Sequence, residues 1–525
     1  MSRPTEPGVP QPSRRGVVEI QFGTETEIGI TREKPEGLDV VAESIALVRS
    51  ATAPGVRHCW DYSLEDPHRD MRGFDAGELR QDTDEANYFA LDAQRALTFH
   101  EIKSDLVLRN GARFYNDHAH PEYCTPECST LLEILQQDYA GDALLAACAR
   151  TINEKDGADN ALHLYKNNTD FRGHSYGCHE NYLMPRRLSW EVLGQGIVGF
   201  FVTRQIVCGA GKYGWEEEDR FVGPGFQISQ RSDFFTEMQS VDTMQRRPLV
   251  NTRDEPHANS DLYRRFHVII GDANLSLYSG YLKIGTTALV LQAMLNGAPP
   301  DRIPRVADPL HTLKQISRDT TWKWECLMAD GRPTTGIEIQ RQYLALVKEF
   351  CPSLEPDWAR VVVDWEQVLN DLERDPLSTA DRLDWAAKYR LIEQFREAEG
   401  LSPDDPWLQS LDLAYHLLDW EKGLFFGLME QKALRLPYPL EEICHGRLTP
   451  PMTTRAAVRG YCIERFGPAV ELTQWDHVTL RAGEKRIELD LRNLFDVQVI
   501  RQSLKIIGAA QSVDDLRYLS FAKIV

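Results

Sequence analysis

The sequence predicts an α+β fold: a sheet covered by helices on one side and open on the other, with a small C-terminal domain. Three observations predict it. Strand-like stretches carry one apolar face and one polar face rich in ligand-type side chains. Helical stretches follow several of them, so the apolar faces have partners and the polar side stays open as a cradle. A mainly helical run over 309–442 gives way at GRLTPP, 446–451, to a last mixed segment. At 525 residues the chain exceeds the usual size of a single core. We expect a flexible Pro-rich leader at 1–16, a catalytic domain over 17–445 with an insertion at about 35–104, and a small domain over 446–525.

Residues 17–30, VVEIQFGTETEIGI, read as the first strand. Val18, Ile20, Phe22, Thr24, Thr26, Ile28 and Ile30 form a mostly apolar face, and Glu19, Gln21, Glu25 and Glu27 a polar one. Glu25 and Glu27 project the same way. Carboxylates that close repel unless a cation sits between them or they lie open to water. Hard oxygen ligands of this kind suit Mg²⁺. A helix is expected over 39–51. The stretch CWDYSLEDPHRDMRGFD, 59–75, has charges and aromatics without periodicity, which fits a functional loop or a surface insertion.

Residues 107–117 read as the next strand, with Arg113, Tyr115 and Asp117 on one face and Phe114 on the other. A cation, a phenol and a carboxylate make a poor core. His118, His120, Glu122 and Tyr123 follow in what reads as a turn stiffened by Pro121 and Pro126. A helix capped by Ser129 or Thr130 is expected over 129–154 and a short strand over 162–167. GHSYGCHENYLM, 173–184, places His179, Glu180 and Asn181 in a glycine-bearing turn. A lone His is usually structural; these neighbours favour a ligand. A helix over 189–207, a strand at FQISQR, 226–231, and a polar loop at NTRDEPH, 251–257, come next. The strand over 265–274 sets Arg265 and His267 on one face, opposite Val268 and Ile270, and a helix over 281–295 follows. Trp475, in TQWDHVTL, reads by itself as a core aromatic.

The formal charge of −20 argues against a generic nucleic-acid binder, although arginines gather mid-chain. No apolar run is long enough to span a bilayer, and the leader has no apolar core behind its arginines. Ten scattered cysteines without a CxxC pair point to reduced thiols and a cytoplasmic protein. There is no GxxxxGK[ST] loop and no kinase signature, so a bound nucleotide would have to be gripped by the sheet through metal. Carboxylates with Mg²⁺ plus arginines form the usual apparatus for holding phosphates, and Asp117 has the chemistry of a nucleophile or general base.

FGTETEIGI, NGARFYNDHAHPEY, LYKNNTD, YGCHENYLM, GFQISQRSD, NTRDEPHA, YRRFHVIIGDANL and YLKIGTTALVL together closely resemble the enzymes that handle prokaryotic ubiquitin-like protein (Pup). These are the Pup ligase and the Pup deamidase/depupylase, carboxylate–amine ligase folds similar to glutamine synthetase, which implies a curved antiparallel sheet cradle packed by helices. The long insertion and the His-Ala-His-Pro-Glu-Tyr run after Asp117 resemble the depupylase branch. The resemblance implies ATP and Mg²⁺ in the sheet cradle. It implies Glu25, Tyr115 and Glu122 as metal ligands, with His179 and His267 as further candidates. Gly23, Thr24, Glu25, Thr26, Glu27, Arg113, Cys124, Thr125, Arg265 and Trp475 match nucleotide-contacting positions, and Asp117 the catalytic aspartate. Arg231 and Arg253 are expected to hold phosphate or a Pup carboxylate. The implied reaction is hydrolysis of the isopeptide bond between the C-terminal side chain of Pup and substrate lysines, with deamidation of a C-terminal Gln of Pup. The alternatives are a Pup–protein ligase consuming ATP and a non-catalytic regulator. Ile28 stands where the family usually has an aromatic, and Cys124 where it has a small polar residue.

Overall fold

The computed structural model describes residues 18–77, 79, 94–171, 173–217, 220–244 and 246–525. The expected leader lies outside the described residues, as does part of the insertion. The centre is a seven-stranded sheet. In chain order its strands are β1 (Gln21–Glu27), β2 (Gly55–Arg57), β3 (Leu106–Leu108), β4 (Arg113–Asp117), β5 (His120–Cys124), β6 (Cys178–Pro185) and β7 (Tyr263–Val268). Their spatial order is β7-β6-β1-β5-β4-β3-β2, and every neighbouring pair is antiparallel.

The alternation read in the sequence survives in β1, where Phe22, Thr24 and Thr26 are buried and the residues between them are half-buried. Phe114 and Asn116 of β4, Glu180 and Tyr182 of β6, and Phe266 and Val268 of β7 face the same covered side, all at 0–1 % exposure. Helices cover that side. The helix Leu277–Leu295 is buried around almost its whole circumference, as expected of a helix apolar all round. Phe201, on the helix Val198–Cys208, stacks on Phe266 at 6.0 Å between centroids. The long helix Leu131–Asp156 begins in a capping box of Thr130 and Glu133. The helix Asp39 was expected to open is Val40–Ser50, with Asp39 as its cap.

Several expectations are corrected. The strand read over 17–30 breaks after Glu27, and Gly29–Arg32 pairs with Leu162–Tyr165 in a separate two-stranded sheet. The strand read over 107–117 is two strands, and the expected turn after Asp117 is strand β5 with Pro121 inside it. Pro121 is tolerated because its backbone edge faces Ile28, just past the end of β1, where Ile28 donates to Pro121 O at 3.1 Å and no ladder donor is required. His179, Glu180 and Asn181 lie in β6, not in a turn, because strand pairing to β1 and β7 overrides the local glycines. FQISQR lies mostly beyond the strand Arg220–Gln227, and Arg231 opens a 3₁₀ turn. The helix read over 189–207 is two, Trp190–Gly196 and Val198–Cys208.

Near the C-terminus, the helix Arg455–Phe466 and a four-stranded antiparallel sheet (Val470–Gln474, His477–Ala482, Lys485–Asp490, Ala522–Ile524) share one hydrophobic cluster. Cys59 and Trp60 of the insertion belong to that same cluster. The insertion therefore packs as a strap. Thr473 donates its backbone N–H to Cys59 O at 2.7 Å, and Asp61 donates back to Thr473 O at 3.0 Å. Further on, Met71 donates to Thr252 O at 2.7 Å and Asp254 to Arg69 O at 2.8 Å.

Candidate active site

The open face of the sheet carries the odd positions of β1, β4, β6 and β7 and the even positions of β5. Register does the gathering: Glu25 pairs with His179 on one side and Cys124 on the other, Glu27 with Glu122, Tyr115 with Glu122, and Asn181 with His267. All of these residues but Asn181 line a cavity of about 990 Å³.

Two ligand sets form, not one. Glu25, His179 and His267 present donor atoms within 4.8 Å of one another, and so do Glu27, Asp117 and Glu122. The expected metal ligands are thus divided between the sets, and Tyr115 enters only as a donor to Glu122 at 3.0 Å. Glu25 accepts from Asn181 at 2.9 Å, meets His179 Nδ1 at 3.3 Å and lies 3.7 Å from Arg265. Burial opposes its charge, but the His179 hydrogen bond and the Arg265 charge hold its carboxyl well below the usual range. The His267 imidazole is pushed well below its ordinary value by burial and by Arg265, which leaves it neutral and able to ligate.

The second set is under-compensated. Burial, then Asp117, Glu25 and Glu27, push the Glu122 carboxyl well above its ordinary value. Like charges no more than 4.8 Å apart repel by about 3 kcal/mol or more per pair at an effective dielectric near 20. A divalent cation on these oxygens would remove that cost, so the donor set fits a hard metal ion. Asp117 differs from Glu122. Burial pushes its carboxyl up, but His118 and Lys103 outweigh burial and hold it well below the usual range. His118 carries the tight turn between β4 and β5 at φ 53, a left-handed conformation that glycine would take without strain.

A smaller cavity at the end of β1 is lined by Gly23, Thr24, Glu25, Cys124, Thr125, Arg265 and Trp475, seven of the expected nucleotide positions. Thr125 Oγ1 accepts from Thr24 N at 2.9 Å. Trp475 is half-buried at this cavity, not in the core, and meets Trp60 edge-on at 5.1 Å. Arg459 fixes it by donating to Trp475 O at 2.9 Å and Gly111 O at 2.8 Å. Thr26 does not face the site: it is 5 % exposed on the helix-covered side. Glu180 is also on that side, paired with Arg204 at 2.6 Å, which removes it from the ligands. Arg113 lines the large cavity, but its donors already serve Asp105 at 2.8 Å and Tyr62 at 2.7 Å.

Arg231 and Arg253 line the large cavity as well. Arg231 is 1 % exposed and among the described residues bonds only neutral groups, Ser175 Oγ and the Ile269 and Gly271 carbonyls. Arg253 has no carboxylate within 4.0 Å among the described residues, and its Nε has no partner. Burial pulls both guanidinium groups below their ordinary value, a setting that an anion would relieve. The other mid-chain arginines separate: Arg186 pairs with Asp254 at 2.5 Å and Arg187 with Glu19 at 2.7 Å, away from the cradle. The residue that sequence reasoning missed is Asn181. Its Oδ1 accepts from Arg265 at 2.7 Å and meets His267 Nδ1 at 2.9 Å while its Nδ2 holds Glu25. Reading 178–185 as a strand would have shown that it shares a face with His179.

A model of Pup-ligase proteins matches residues 21–479. The chain belongs to the Pup-ligase family. Among curated members, the Pup deamidase/depupylase of Mycobacterium tuberculosis is 40 % identical over 478 residues, 88 % of this chain and 91 % of that one. The depupylase of Acidothermus cellulolyticus is 38 % identical over 470 residues, 87 % and 90 %. The Pup–protein ligase of Sanguibacter keddieii is 37 % identical over 396 residues, 74 % and 86 %. Of solved family structures, the complex between Pup and its ligase PafA superposes with a TM-score of 0.75 at 28 % identity, covering 96 % of this chain and 95 % of that one. PafA in complex with ADP gives 0.70 at 30 % identity, covering 84 % and 96 %. The fold is therefore that of the Pup ligases, a mixed helix-and-sheet cradle with a small C-terminal sheet.

Proposed function

We propose that this chain is an ATP- and Mg²⁺-dependent depupylase and Pup deamidase. It hydrolyses the isopeptide bond between the C-terminal side chain of Pup and substrate lysines, and converts a C-terminal Gln of Pup to Glu. The observation that carries this reading over the ligase is the alignment with deamidase/depupylases, which runs over 88 % of the chain, against 74 % with the ligase. No described helix is long and apolar enough to cross a membrane, and we assign the protein to the cytoplasm with Pup and pupylated proteins as its partners.

The wet face supports the chemistry. Glu25, His179 and His267 would hold one metal ion, and Glu27 and Glu122 a second. The metal ions held with ATP would supply the positive charge that polarises the scissile carbonyl. The chain's own groups do the rest. Gly23, Thr125, Arg265 and Trp475 line the nucleotide cavity, Arg231 and Arg253 hold phosphate or a Pup carboxylate, and ionised Asp117 acts on the carbonyl or on water. The test is to incubate purified protein, ATP and Mg²⁺ with a preformed Pup conjugate, and separately with free Pup ending in Glu and a lysine-bearing target. Loss of the conjugate is expected. New conjugates without loss would establish the ligase instead.

Two further results are expected. Arg231→Gln and Arg253→Gln should each lower kcat/KM by about tenfold or more, since a buried charge-assisted contact contributes about 1.5–3 kcal/mol. Steady-state kinetics unchanged from wild type would remove both from the site. Deleting residues 60–75 should weaken ATP binding and lower the melting temperature, because Trp60 stacks on Arg113 at 4.1 Å and braces Trp475. If the segment only decorates the surface, calorimetric ATP affinity and the melting curve will both be intact.

A further inference from the structure

Lys103 closes the short helix Phe99–Lys103 inside the insertion. Its ammonium donates to Asp117 Oδ1 at 2.8 Å and lies 5.5 Å from the centre of the Tyr115 ring. Among the described residues it is the only lysine or arginine ion-paired with any of Glu27, Asp117 and Glu122. A five-residue helix does not hold itself together in water. Here separate elements hold it. Thr98 and Glu101 close a capping box, and Arg49 donates to Glu101 O at 2.8 Å and Ser104 Oγ at 3.1 Å. Asn116, next to Asp117 in the strand, donates to Ile102 O at 3.2 Å, and Phe99 meets Tyr62 edge-on at 4.8 Å.

We propose that Lys103 is a positioning residue for isopeptide hydrolysis: it grips one oxygen of Asp117, fixes the rotation of that carboxylate and so presents the other oxygen to the scissile carbonyl. The inference rests on reading the chain as a depupylase with Asp117 as the reacting group. The terminal torsion of an aspartate is broad, so packing alone selects an orientation weakly. An ammonium on Oδ1 and the His118 imidazole 3.2 Å from Oδ2 together select one. The side chains of Lys103 and Asp117 are 17 % and 22 % exposed, so solvent screens the pair less than a surface ion pair. Misplacing a reacting group by about 1 Å costs on the order of a hundredfold in rate.

The experiment compares wild type, Lys103→Met and Lys103→Arg on a fluorogenic Pup-linked substrate, with nucleotide affinity and melting temperature measured alongside. Lys103→Met is expected to lower kcat by about tenfold or more, with KM, nucleotide Kd and melting temperature close to wild type. Lys103→Arg, which keeps the charge and the donor, should recover most of kcat. The proposal is overturned if Lys103→Met retains wild-type kcat, if it loses kcat together with nucleotide affinity or stability, or if Lys103→Arg is no better. An inactive wild type would overturn the depupylase reading and this proposal with it. An active wild type beside an unimpaired Lys103→Met would overturn the role of Lys103 alone.

Discussion

Asp117→Asn is expected to lower isopeptide cleavage by about a thousandfold or more while nucleotide binding survives. The residue sits at the end of β4, on the face that also carries Arg113 and Tyr115. Its carboxyl is held ionised by His118 and Lys103, against a burial that would otherwise protonate it. An amide of the same shape keeps an acceptor for Lys103 but can neither attack a carbonyl nor accept a proton. The cavity proposed for the nucleotide is lined by Gly23, Thr125, Arg265 and Trp475, not by Asp117, so binding should persist. Single-turnover cleavage beside a nucleotide titration checks both halves. Full activity in the variant would take Asp117 out of the chemistry.

Glu122→Gln is expected to abolish Mg²⁺-dependent activity and yet to raise the melting temperature of the metal-free protein, by about 1–3 °C. The two effects have one cause. Burial, and then the neighbouring Asp117, Glu25 and Glu27, raise the proton affinity of the Glu122 carboxyl. Without a metal the folded chain bears the repulsion, and removing one charge relieves it. Glu25→Gln should do the opposite and melt earlier, because His179, Asn181 and Arg265 already favour the Glu25 charge. The pH dependence has a definite sign. An unfolded glutamate loses its proton near ~4.3, whereas folded Glu122 retains it to higher pH. Its contribution to metal-free stability therefore declines as pH rises above the unfolded value, and Glu122→Gln should flatten that decline. Thermal melts in chelator across pH decide it: a Glu122→Gln protein that melts below wild type contradicts the account.

Much of the site was legible because strands have a period of two. QFGTETE and RFYND each state which residues share a face, and those faces are the ones observed. The motifs around His179 and His267 were legible as candidate ligands, and their donor atoms do converge on Glu25, even though the GHSYGCHENYLM stretch was read as a turn, since the glycines there suggest a break that pairing on both edges overrides. Glu180 was misjudged for the same reason: in a turn it could join its neighbours, but in a strand it points the other way, to Arg204. The division of the ligands into two sets was not legible, because it depends on how β1 registers against β5 and β6.

The sequence by itself determined the alternating faces, the apolar helices that cover one of them, and the inventory of carboxylates, imidazoles and arginines on the other. These follow from local periodicity and side-chain chemistry, which need no knowledge of distant neighbours. Only the tertiary structure decided that Lys103 reaches Asp117, that Asn181 ties Glu25 to Arg265 and His267, and that Trp60 of the insertion braces Trp475 more than four hundred positions away. Those contacts join separate strands, the strap and the C-terminal sheet. They depend on strand register and on chain closure over long separations, which local residue order does not encode.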